Sequence, residues 1–345
     1  MRVLVTGGAG FIGRELVARL CDRGDEVVVL DRVAEGVDPR AELVHGDLAD
    51  PAVSAMAVKG VDVVSHQAAR VGLGKDPADL PLYAADNDLG TACLLSALWA
   101  AGFGGRLVLA SSMVVYGEGR YRCPEHGRVR PAARRPEDLE AGRFESPCPA
   151  CASPLAWELV PEDAPFGPRS GYAATKAAQE HLASAWAREV GASVVALRYH
   201  NVYGPGLPRD TPYAGVAAIF LSSLLRGEAP EVFEDGGQAR DFVHVSDVVA
   251  ANLLAMSDTA ASGPGELVPL NVCSGRPVTI MEVARSLSRA VGGTAPVVSG
   301  RWRPGDVRHV VADPAAALQV LGFKAAIGLD DGLAELALVE AAAGP

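Results

Sequence analysis

The sequence predicts an α/β protein built on a doubly wound parallel sheet, and two observations predict this fold class. Segments with the character of strands and helices alternate from the N-terminus to about residue 200, which is the pattern of parallel strands joined by helical crossovers. A glycine-rich turn joins the first of these strands to the first helix. The 345 residues can bury a large core, in one large domain or in two that pack closely.

The first segment has the composition of a strand, a helix and a second strand. Arg2 to Val5 and Glu26 to Leu30 are short apolar runs of the kind that form buried strands. Between them, apolar residues recur at the spacing of one helix face: Ile12, Leu16, Val17 and Leu20. The segment therefore predicts a βαβ unit.

The turn inside this unit predicts a dinucleotide site. Gly7, Gly10 and Gly13 permit a tight turn, a close approach to a pyrophosphate and close packing of helix on strand. The helix N-terminus that follows offers unpaired N–H groups to phosphates. Asp31 stands where a carboxylate accepts hydrogen bonds from the adenosine ribose and repels a 2′-phosphate, which favours NAD. Arg32 leaves NADP open, since a neighbouring arginine can attract that phosphate.

The next predicted elements continue the alternation. We predict strands at Leu43 to Val44, at Val61 to Ser65 and at Arg106 to Ala110, with a helix from Tyr83 to Ala100. Polar and small residues lie in this helix and at the ends of these strands: Gly46-Asp47-Leu48, His66-Gln67-Ala68-Ala69, Asn87 and Ser111-Ser112.

Composition restricts the partners and the compartment. The formal net charge is −11 and charged residues are 21% of the chain, which argues against a nucleic-acid surface because a basic stripe is expected there. The N-terminus has strand alternation instead of a secretory apolar region, and no apolar run is long enough to span a membrane. We expect a cytoplasmic protein that binds neither nucleic acid nor membranes.

An insertion at residues 118–165 contains two closely spaced pairs of metal-binding side chains. Cys123 and His126 form the first pair, and Cys148 and Cys151 form the second. Two tight turns that each supply two soft ligands match a tetrahedral zinc site, which could fix a segment rich in Pro, Arg and Glu. We predict a structural zinc, because four protein ligands leave no open position for catalysis. The alternative is a flexible loop with incidental cysteines.

Taken together, the motifs resemble the extended short-chain dehydrogenase/reductase family, the NAD-dependent sugar epimerases and dehydratases. The matching segments are Gly-Gly-Ala-Gly-Phe-Ile-Gly at 7–13, Gly46-Asp47-Leu48, Ala68-Ala69, Asn87 and Ser-Ser-x-x-Val-Tyr-Gly at 111–117. The resemblance extends over nearly the whole chain and implies a Rossmann-type sheet with bound NAD. The cofactor-binding residues that it implies are Gly7, Gly10, Phe11, Ile12, Gly13, Asp31, Arg32, Asp47, Leu48, Gln67, Ala68, Ala69, Asn87, Ser111, Tyr172, Lys176 and Tyr199.

The resemblance also implies the domain organisation and the oligomeric state. The NAD-binding domain takes residues 1–198, and a smaller mixed α/β domain at 199–345 binds the substrate. Residues 238–256 are expected to return to the first domain. Family members pair through two helices each, here those that carry Asn87 and Tyr172, so we expect a homodimer.

Tyr172 and Lys176 are four residues apart at the start of a helix and therefore share one face. A phenol has a reference pKa of about 10, so it needs help to act as a base near neutral pH. A lysine ammonium one turn away, together with the positive nicotinamide ring, favours the phenolate. Ser112 would share the hydrogen bond to the sugar hydroxyl. These three residues resemble the family's catalytic set.

The second half of the chain supplies the predicted substrate contacts. Asn201 aligns with the asparagine that contacts the sugar diphosphate, and Arg240 aligns with the arginine that meets the pyrophosphate. The late motif at 303–308 binds phosphate and the nucleoside ribose in the family. Phe233 could stack on the base, or could be a core aromatic. The complete predicted substrate set is Arg70, Ser112, Met113, Tyr172, Asn201, Phe233, Arg240, Arg303, Asp306 and Arg308.

The residues after the central strand indicate which reaction follows. The 4,6-dehydratases of the family carry Thr-Asp-Glu where this chain has Ser112-Met113-Val114, so their extra acid and base are missing. Epimerisation at carbon 4 needs only hydride removal, rotation of the 4-keto sugar and hydride return to the other face. Alternatives are a 4-ketoreductase or another dehydratase, and a non-catalytic NAD-binding regulator. The intact catalytic set argues against the regulator.

The nucleotide and the sugar stay open at this point. The insertion and the segments at 70–74 and 211–215 resemble the bacterial dTDP-L-rhamnose 4-epimerase group. A UDP-glucose or UDP-glucuronate 4-epimerase is the other interpretation. For a uronate, Lys75 and Arg209 are the candidates to meet the carboxylate.

Overall fold

The computed structural model describes residues 1–72, 77–209, 215–257, 262–303 and 305–342. The strands in these ranges are β1 (Arg2–Thr6), β2 (Glu26–Asp31), β3 (Glu42–His45), β4 (Val63–His66), β5 (Arg106–Ser112), β6 (Arg120–Cys123), β7 (Gly127–Val129), β8 (Ala156–Glu158), β9 (Ser193–Tyr199), β10 (Asn201–Tyr203), β11 (Glu231–Val232), β12 (Ala239–Arg240), β13 (Phe242–His244), β14 (Leu267–Val272), β15 (Val278–Thr279) and β16 (Val297–Val298).

The helices of the same ranges are α1 (Phe11–Asp22), α2 (Pro51–Ala57), α3 (Leu80–Tyr83), α4 (Gly90–Ala100), α5 (Pro136–Glu140), α6 (Gly171–Val190), α7 (Val216–Leu225), α8 (Val245–Met256), α9 (Ile280–Val291), α10 (Ala315–Leu321) and α11 (Leu329–Ala342). A π-helical turn at Ala84–Leu89 joins α3 to α4, so this helix runs from Leu80 to Ala100 without interruption. Short 3₁₀ helices lie at Pro77–Asp79 and Met113–Tyr116.

Seven parallel strands form the central sheet in the order β14-β9-β5-β4-β1-β2-β3. This is the predicted doubly wound sheet, and the predicted strands are present with bounds shifted by one or two residues. The strand order reverses between β1 and β4. Ligands of such sheets bind at this switch point, beyond the carboxyl ends of the strands.

Two hydrophobic layers enclose the sheet. Val3 and Val29 face α1 and α8, whereas Leu4 and Val28 face α2, α4 and α6, because successive residues of a strand point to opposite faces. The predicted apolar stripe of α1 faces this core, and Leu16, Val17 and Leu20 are fully buried. The pattern confirms the βαβ unit predicted for the first thirty-one residues.

The second half of the chain contributes both to the layers around the central sheet and to a second, smaller core. Helix α8 packs against α1 under the sheet. Strand β14 also joins the central sheet, although the predicted boundary at residue 199 assigns it to the substrate domain. Pro269 interrupts its strand signal, and the structure accommodates this proline on an edge strand. Helices α7, α9 and α11 build a separate, smaller core.

The insertion forms its own small sheet, with antiparallel strands in the order β7-β6-β8. Its core contains Tyr121, Leu155 and the side chains of Cys123 and Cys148. In the described ranges, none of the helices is both long and apolar enough to cross a membrane.

Candidate functional site

The glycine turn after β1 has the shape that a pyrophosphate requires. Gly7 has φ +71°, and a Cβ at this position would lie 2.7 Å from the backbone N of Ala68. A Cβ on Gly13 would lie 2.1 Å from the carbonyl oxygen of Gly7. Helix α1 begins after Gly10, and among the described residues no side chain caps it. The first N–H groups of α1 are therefore available to an anion, so these residues fit a dinucleotide.

Asp31 lies at the carboxyl end of β2, beside the glycine turn. Its carboxylate accepts hydrogen bonds from the backbone N–H groups of Ala9, at 2.9 Å, and of Val33, at 3.0 Å. These two contacts fix the orientation of the carboxylate that we predict to bind the adenosine ribose.

Arg32 is engaged by carboxylates. Its guanidinium makes two 3.1 Å hydrogen bonds to Asp86 and lies 3.5 Å from Asp47. The Asp86 hydrogen bonds raise the pKa of Arg32. A 2′-phosphate would have to compete with these two acidic groups and with Asp31 for the arginine, so the surroundings favour NAD.

Arg70 and Asn87 join the loop after β4 to helix α6. Asn87 is fully buried; it accepts from the Arg70 backbone N–H at 2.7 Å and donates to Thr175 Oγ1 at 2.9 Å. The Arg70 guanidinium donates to Asp86 at 2.8 Å. The guanidinium of Arg70, which we predict to contact the substrate, therefore binds the same carboxylate as Arg32. Asn87 positions the loop relative to the helix.

A hydrogen-bond network connects the carboxyl ends of β4 and β9. Gln67 donates to Ser65 at 2.8 Å, to Asn252 at 2.9 Å and to the hydroxyl of Tyr199 at 3.1 Å. Burial raises the pKa of Tyr199 to about 12, so its phenol is neutral. Two residues predicted to hold the cofactor thus share a network with Asn252 of α8, which the sequence analysis missed because it belongs to no recognised motif.

The three predicted catalytic residues converge between β5 and α6. The hydroxyl of Ser112 hydrogen-bonds to that of Tyr172, and Lys176 Nζ donates to the carbonyl oxygen of Ala110 at 2.8 Å. Ser170 caps α6 by accepting from the backbone N–H of Ala173 at 3.2 Å. The cap fixes the helix start one turn before Lys176, which brings the tyrosine and the lysine to the end of the central strand.

The electrostatics of this group depend on burial. Burial raises the pKa of Tyr172 to about 12, although the Ser112 hydrogen bond acts in the opposite direction. Burial lowers the pKa of Lys176 to about 7, and Glu180 opposes this shift. A further positive charge nearby would stabilise the phenolate, and the oxidised nicotinamide ring has this charge. The donor set therefore fits NAD.

Glu180 of α6 and Arg198 of β9 form a buried ion pair. Arg198 donates to the two carboxylate oxygens of Glu180 at 3.0 and 2.8 Å, and both side chains are buried. Ser111 Oγ donates to the same carboxylate, so this hydroxyl serves the ion pair. The sequence analysis missed the pair, although Glu180 lies four residues after Lys176 and hence on the same helix face.

The predicted diphosphate residues lie in different surroundings. Asn201 on β10 has a buried side-chain oxygen without a hydrogen-bond partner among the described residues, which is available to a ligand. Arg240 donates to the carbonyl oxygens of Val307 at 2.6 Å and of Arg308 at 2.8 Å. The guanidinium of Arg240 is thus held against the backbone of the motif at 303–308.

Two arginines lie over the ring of Phe233, which is near a cavity. The guanidinium carbons of Arg301 and Arg303 are 5.0 and 4.9 Å from the centre of its ring. Arg303 and Asp306 also line a cavity of about 250 Å³. The other charged and aromatic residues of its lining are Glu118, Arg134, Arg169 and Trp302.

Arg308 does not have the free fork predicted for a phosphate ligand. Its side chain is 2% exposed and donates to Glu145, Glu234 and Asp235 at 2.6 to 2.9 Å. Three carboxylates around one guanidinium make a structural anchor, and they would repel a phosphate. The sequence motif could not reveal these partners, which lie far from Arg308 along the chain.

The four predicted metal ligands come together at one end of the insertion. Their side-chain ligand atoms all lie within 4.8 Å of one another. Cys123 Sγ is 3.6 Å from His126 Nδ1 and 3.6 Å from Cys151 Sγ, and Cys148 Sγ is 3.8 Å from His126 Nδ1. Ligands at zinc distances would be separated by about 3.8 Å between sulfurs and about 3.6 Å between sulfur and nitrogen. The four residues therefore fit a tetrahedral metal.

Comparisons with known proteins identify the family of the chain. The model of the NAD dependent epimerase/dehydratase family matches residues 3–136 and 152–273. Residues 137–151, which include Cys148 and Cys151, lie between the two matched stretches. The matched stretches thus include the core fold and the segments that carry Ser112, Tyr172 and Lys176, but not Cys148 and Cys151.

Individual relatives match the chain from end to end. A dTDP-L-rhamnose 4-epimerase of Burkholderia thailandensis is 33% identical and covers 97% of this chain and 93% of its own length. A UDP-glucose 4-epimerase of Thermus thermophilus, solved with NAD, is 33% identical over 98% of both chains, with a TM-score of 0.79. MoeE5, solved with UDP-glucuronic acid and NAD, is 34% identical, covers 99% of this chain and all of its own, and has a TM-score of 0.80. The chain therefore belongs to the NAD-dependent epimerase/dehydratase family, as its motifs predict.

Proposed function

We propose that this protein is a nucleotide-sugar 4-epimerase that uses tightly bound NAD. The observation that carries the proposal is the convergence of Ser112, Tyr172 and Lys176 beside a glycine turn that fits a dinucleotide. NAD, when bound, supplies the acceptor and later the donor of the hydride.

The chain's own residues manage the proton and the sugar. Tyr172 accepts the proton of the sugar 4-hydroxyl and returns it at the end of the reaction, while Ser112 donates a hydrogen bond that stabilises the phenolate. Lys176, held by the carbonyl oxygen of Ala110, contributes positive charge and holds the nicotinamide ribose. The Asn87 contacts and the Glu180–Arg198 ion pair keep the helix in position for these roles.

The surroundings of Ser112 support epimerisation over dehydration. Met113 and Val114 follow it in the 3₁₀ helix, and neither side chain can donate or accept the protons that loss of water from carbons 5 and 6 requires. Rotation of the 4-keto sugar and return of the hydride to its other face need no further acid or base.

The predicted diphosphate residues suggest how the substrate binds. We assign Asn201 and Arg240 to the diphosphate, Phe233 to the base, and Arg303 and Asp306 to the phosphate and the nucleoside ribose. The relatives and neighbours act on or are solved with both dTDP-sugars and UDP-sugars, so we propose this class of substrate as a whole.

Of the two candidates to meet a uronate carboxylate, Arg209 lies within the described residues. Arg209 is paired with Glu340 at 2.9 Å. Lys75 lies outside the described residues, as do parts of the segments at 70–74 and 211–215.

The direct test of the function is incubation of the purified protein, without added NADH, with four candidate substrates in parallel. These are UDP-glucose, UDP-glucuronate, dTDP-glucose and dTDP-L-rhamnose, analysed by proton NMR and mass spectrometry. We expect a product of unchanged mass with inverted carbon 4 from at least one of them. Loss of one water would indicate a dehydratase, and conversion only with NAD(P)H and a 4-keto sugar would indicate a reductase.

We also propose that Cys123, His126, Cys148 and Cys151 bind a structural Zn²⁺. The separations of their ligand atoms support it, and so does the second turn, where the left-handed backbone of Ala152, at φ 59°, follows Cys151. The insertion buries only a small apolar core, so a metal would supply stability that packing does not. Four protein ligands exclude a catalytic role.

A homodimer is the oligomeric state that we propose. The helices that carry Asn87 and Tyr172 expose large apolar side chains: Leu89 is 52% exposed, Trp99 67% and Leu182 37%. Such residues on two adjacent helices suit burial against a second copy of the chain.

A further inference from the structure

The Cys/His insertion contacts the segments that we assign to the nucleotide. Arg134 and Glu145 of the insertion reach Glu234, which follows Phe233, and the stretch from Asp306 to His309. We propose that Arg134 is a positioning residue for the nucleoside diphosphate. It holds in place the segments around Phe233 and Asp306, between which we expect the nucleotide to bind. This inference rests on the proposed function and adds the insertion to the substrate site.

Arg134 ties two separate segments together with one guanidinium. It binds the Glu234 carboxylate in a bidentate manner, at 2.8 and 2.9 Å, and donates to the carbonyl oxygen of Asp306 at 2.7 Å. The Arg134 side chain is 4% exposed and that of Glu234 is 2% exposed. A buried bidentate pair has one favoured geometry, so the pair fixes the distance between the Phe233 segment and the Asp306 segment.

The backbone at Glu234 needs this support. Glu234 has φ +54°, in the left-handed region that residues with a side chain rarely adopt. Its carboxylate is shared with a second buried arginine, Arg308, at 2.9 Å. Strained residues persist where the surroundings over-determine them, and they cluster at binding sites. The two arginines thus hold the turn that orients the Phe233 ring.

Arg134 lies in the wall of the cavity, and most of its donors are already used. It lines the cavity of about 250 Å³ together with Trp302, Arg303 and Asp306. The terminal nitrogens of Arg134 donate to Glu234, Phe144 and Asp306, whereas its buried Nε has no partner among the described residues, so the residue acts chiefly through these neighbours.

The test compares Arg134→Met and Arg134→Lys with Arg143→Met, a control in the same insertion. Arg143 is 64% exposed and pairs only with Asp138 among the described residues. The Kd values of UDP and dTDP are measured by calorimetry on NAD-loaded protein, together with NAD content and steady-state kinetics. We expect Arg134→Met to weaken binding of the preferred nucleotide by at least about tenfold and to raise KM, with kcat and NAD content unchanged. Arg134→Lys should recover part of the loss, and Arg143→Met should equal the unchanged protein.

Each other outcome has a definite meaning. A folded Arg134→Met protein that binds both nucleotides within about twofold of the unchanged protein overturns the inference, and so does a parallel loss of kcat and NAD, which would indicate a merely structural role. If Arg134→Met does not fold, Glu234→Gln replaces it, and normal nucleotide affinity in that variant is equally decisive against the inference. If the unchanged protein binds neither nucleotide, the proposed substrate class itself fails.

Discussion

Tyr172 depends on its immediate neighbours to act as a base. Burial raises its pKa to about 12, and among the described residues the hydrogen bond with Ser112 acts to lower it. Ionisation of Tyr172 near neutral pH therefore requires Ser112, Lys176 and the positive charge of oxidised NAD together. The pKa of the phenol should therefore respond to the loss of any one of these neighbours.

Replacement Ser112→Ala should move the acidic limb of the pH profile of kcat/KM to higher pH. Activity rises with pH as the phenol ionises, and loss of the hydrogen bond that stabilises the phenolate raises the pKa of Tyr172 further. At neutral pH the rate should fall, by about tenfold or more. Ser112→Thr keeps the hydroxyl and is the control. A Ser112→Ala profile that superimposes on that of the unchanged protein would contradict the assigned role.

At the scale of secondary-structure elements, the sequence predicts those site features whose residues lie close together along the chain. The glycine turn, Asp31 and the Tyr172–Lys176 pair lie within one βαβ unit or one helix turn, and the sequence predicts each of them. The Cys/His cluster was predictable for the same reason, because each pair of ligands occupies one tight turn.

Long-range partners could not be predicted. Arg308 matches a phosphate-binding motif, yet carboxylates from the insertion and from the segment after β11 surround it. Arg134 lies in a run without periodicity, and its partner Glu234 is far away along the chain. Strand β14 was missed because Pro269 weakens its pattern, which only an edge position tolerates.

The metal cluster gives a prediction for the insertion as an element. Purified without chelator, the protein should contain about one zinc per chain, and Cys151→Ser should lose it because three ligands bind zinc far more weakly than four. Cys21→Ser, a cysteine outside the cluster, is the control and should keep the metal. NAD content should be the same in all three proteins, since the insertion lies outside the glycine turn. Metal analysis that finds no zinc in the unchanged protein would refute the assignment.

For the whole molecule, the exposed apolar residues of α4 and α6 predict a homodimer. Light scattering at micromolar concentration should give twice the mass of one chain, and Leu182→Glu should give the mass of a monomer because a carboxylate is then buried in the interface. Leu318→Glu is the matched control, since Leu318 on α10 is 53% exposed but lies on another part of the surface. A monomeric mass for the unchanged protein would contradict the proposal.

In the proposed epimerisation the hydride from carbon 4 stays within the site, where bound NAD would supply its acceptor and later its donor, and it returns to the other face of the sugar. The most direct test uses a nucleotide sugar that carries deuterium at carbon 4, chosen from the substrates that the protein converts, in water and without added NADH. We expect a product with inverted carbon 4, unchanged mass and the deuterium retained at that carbon. Loss of the deuterium to solvent, or a product lighter by one water, would contradict the proposed epimerisation.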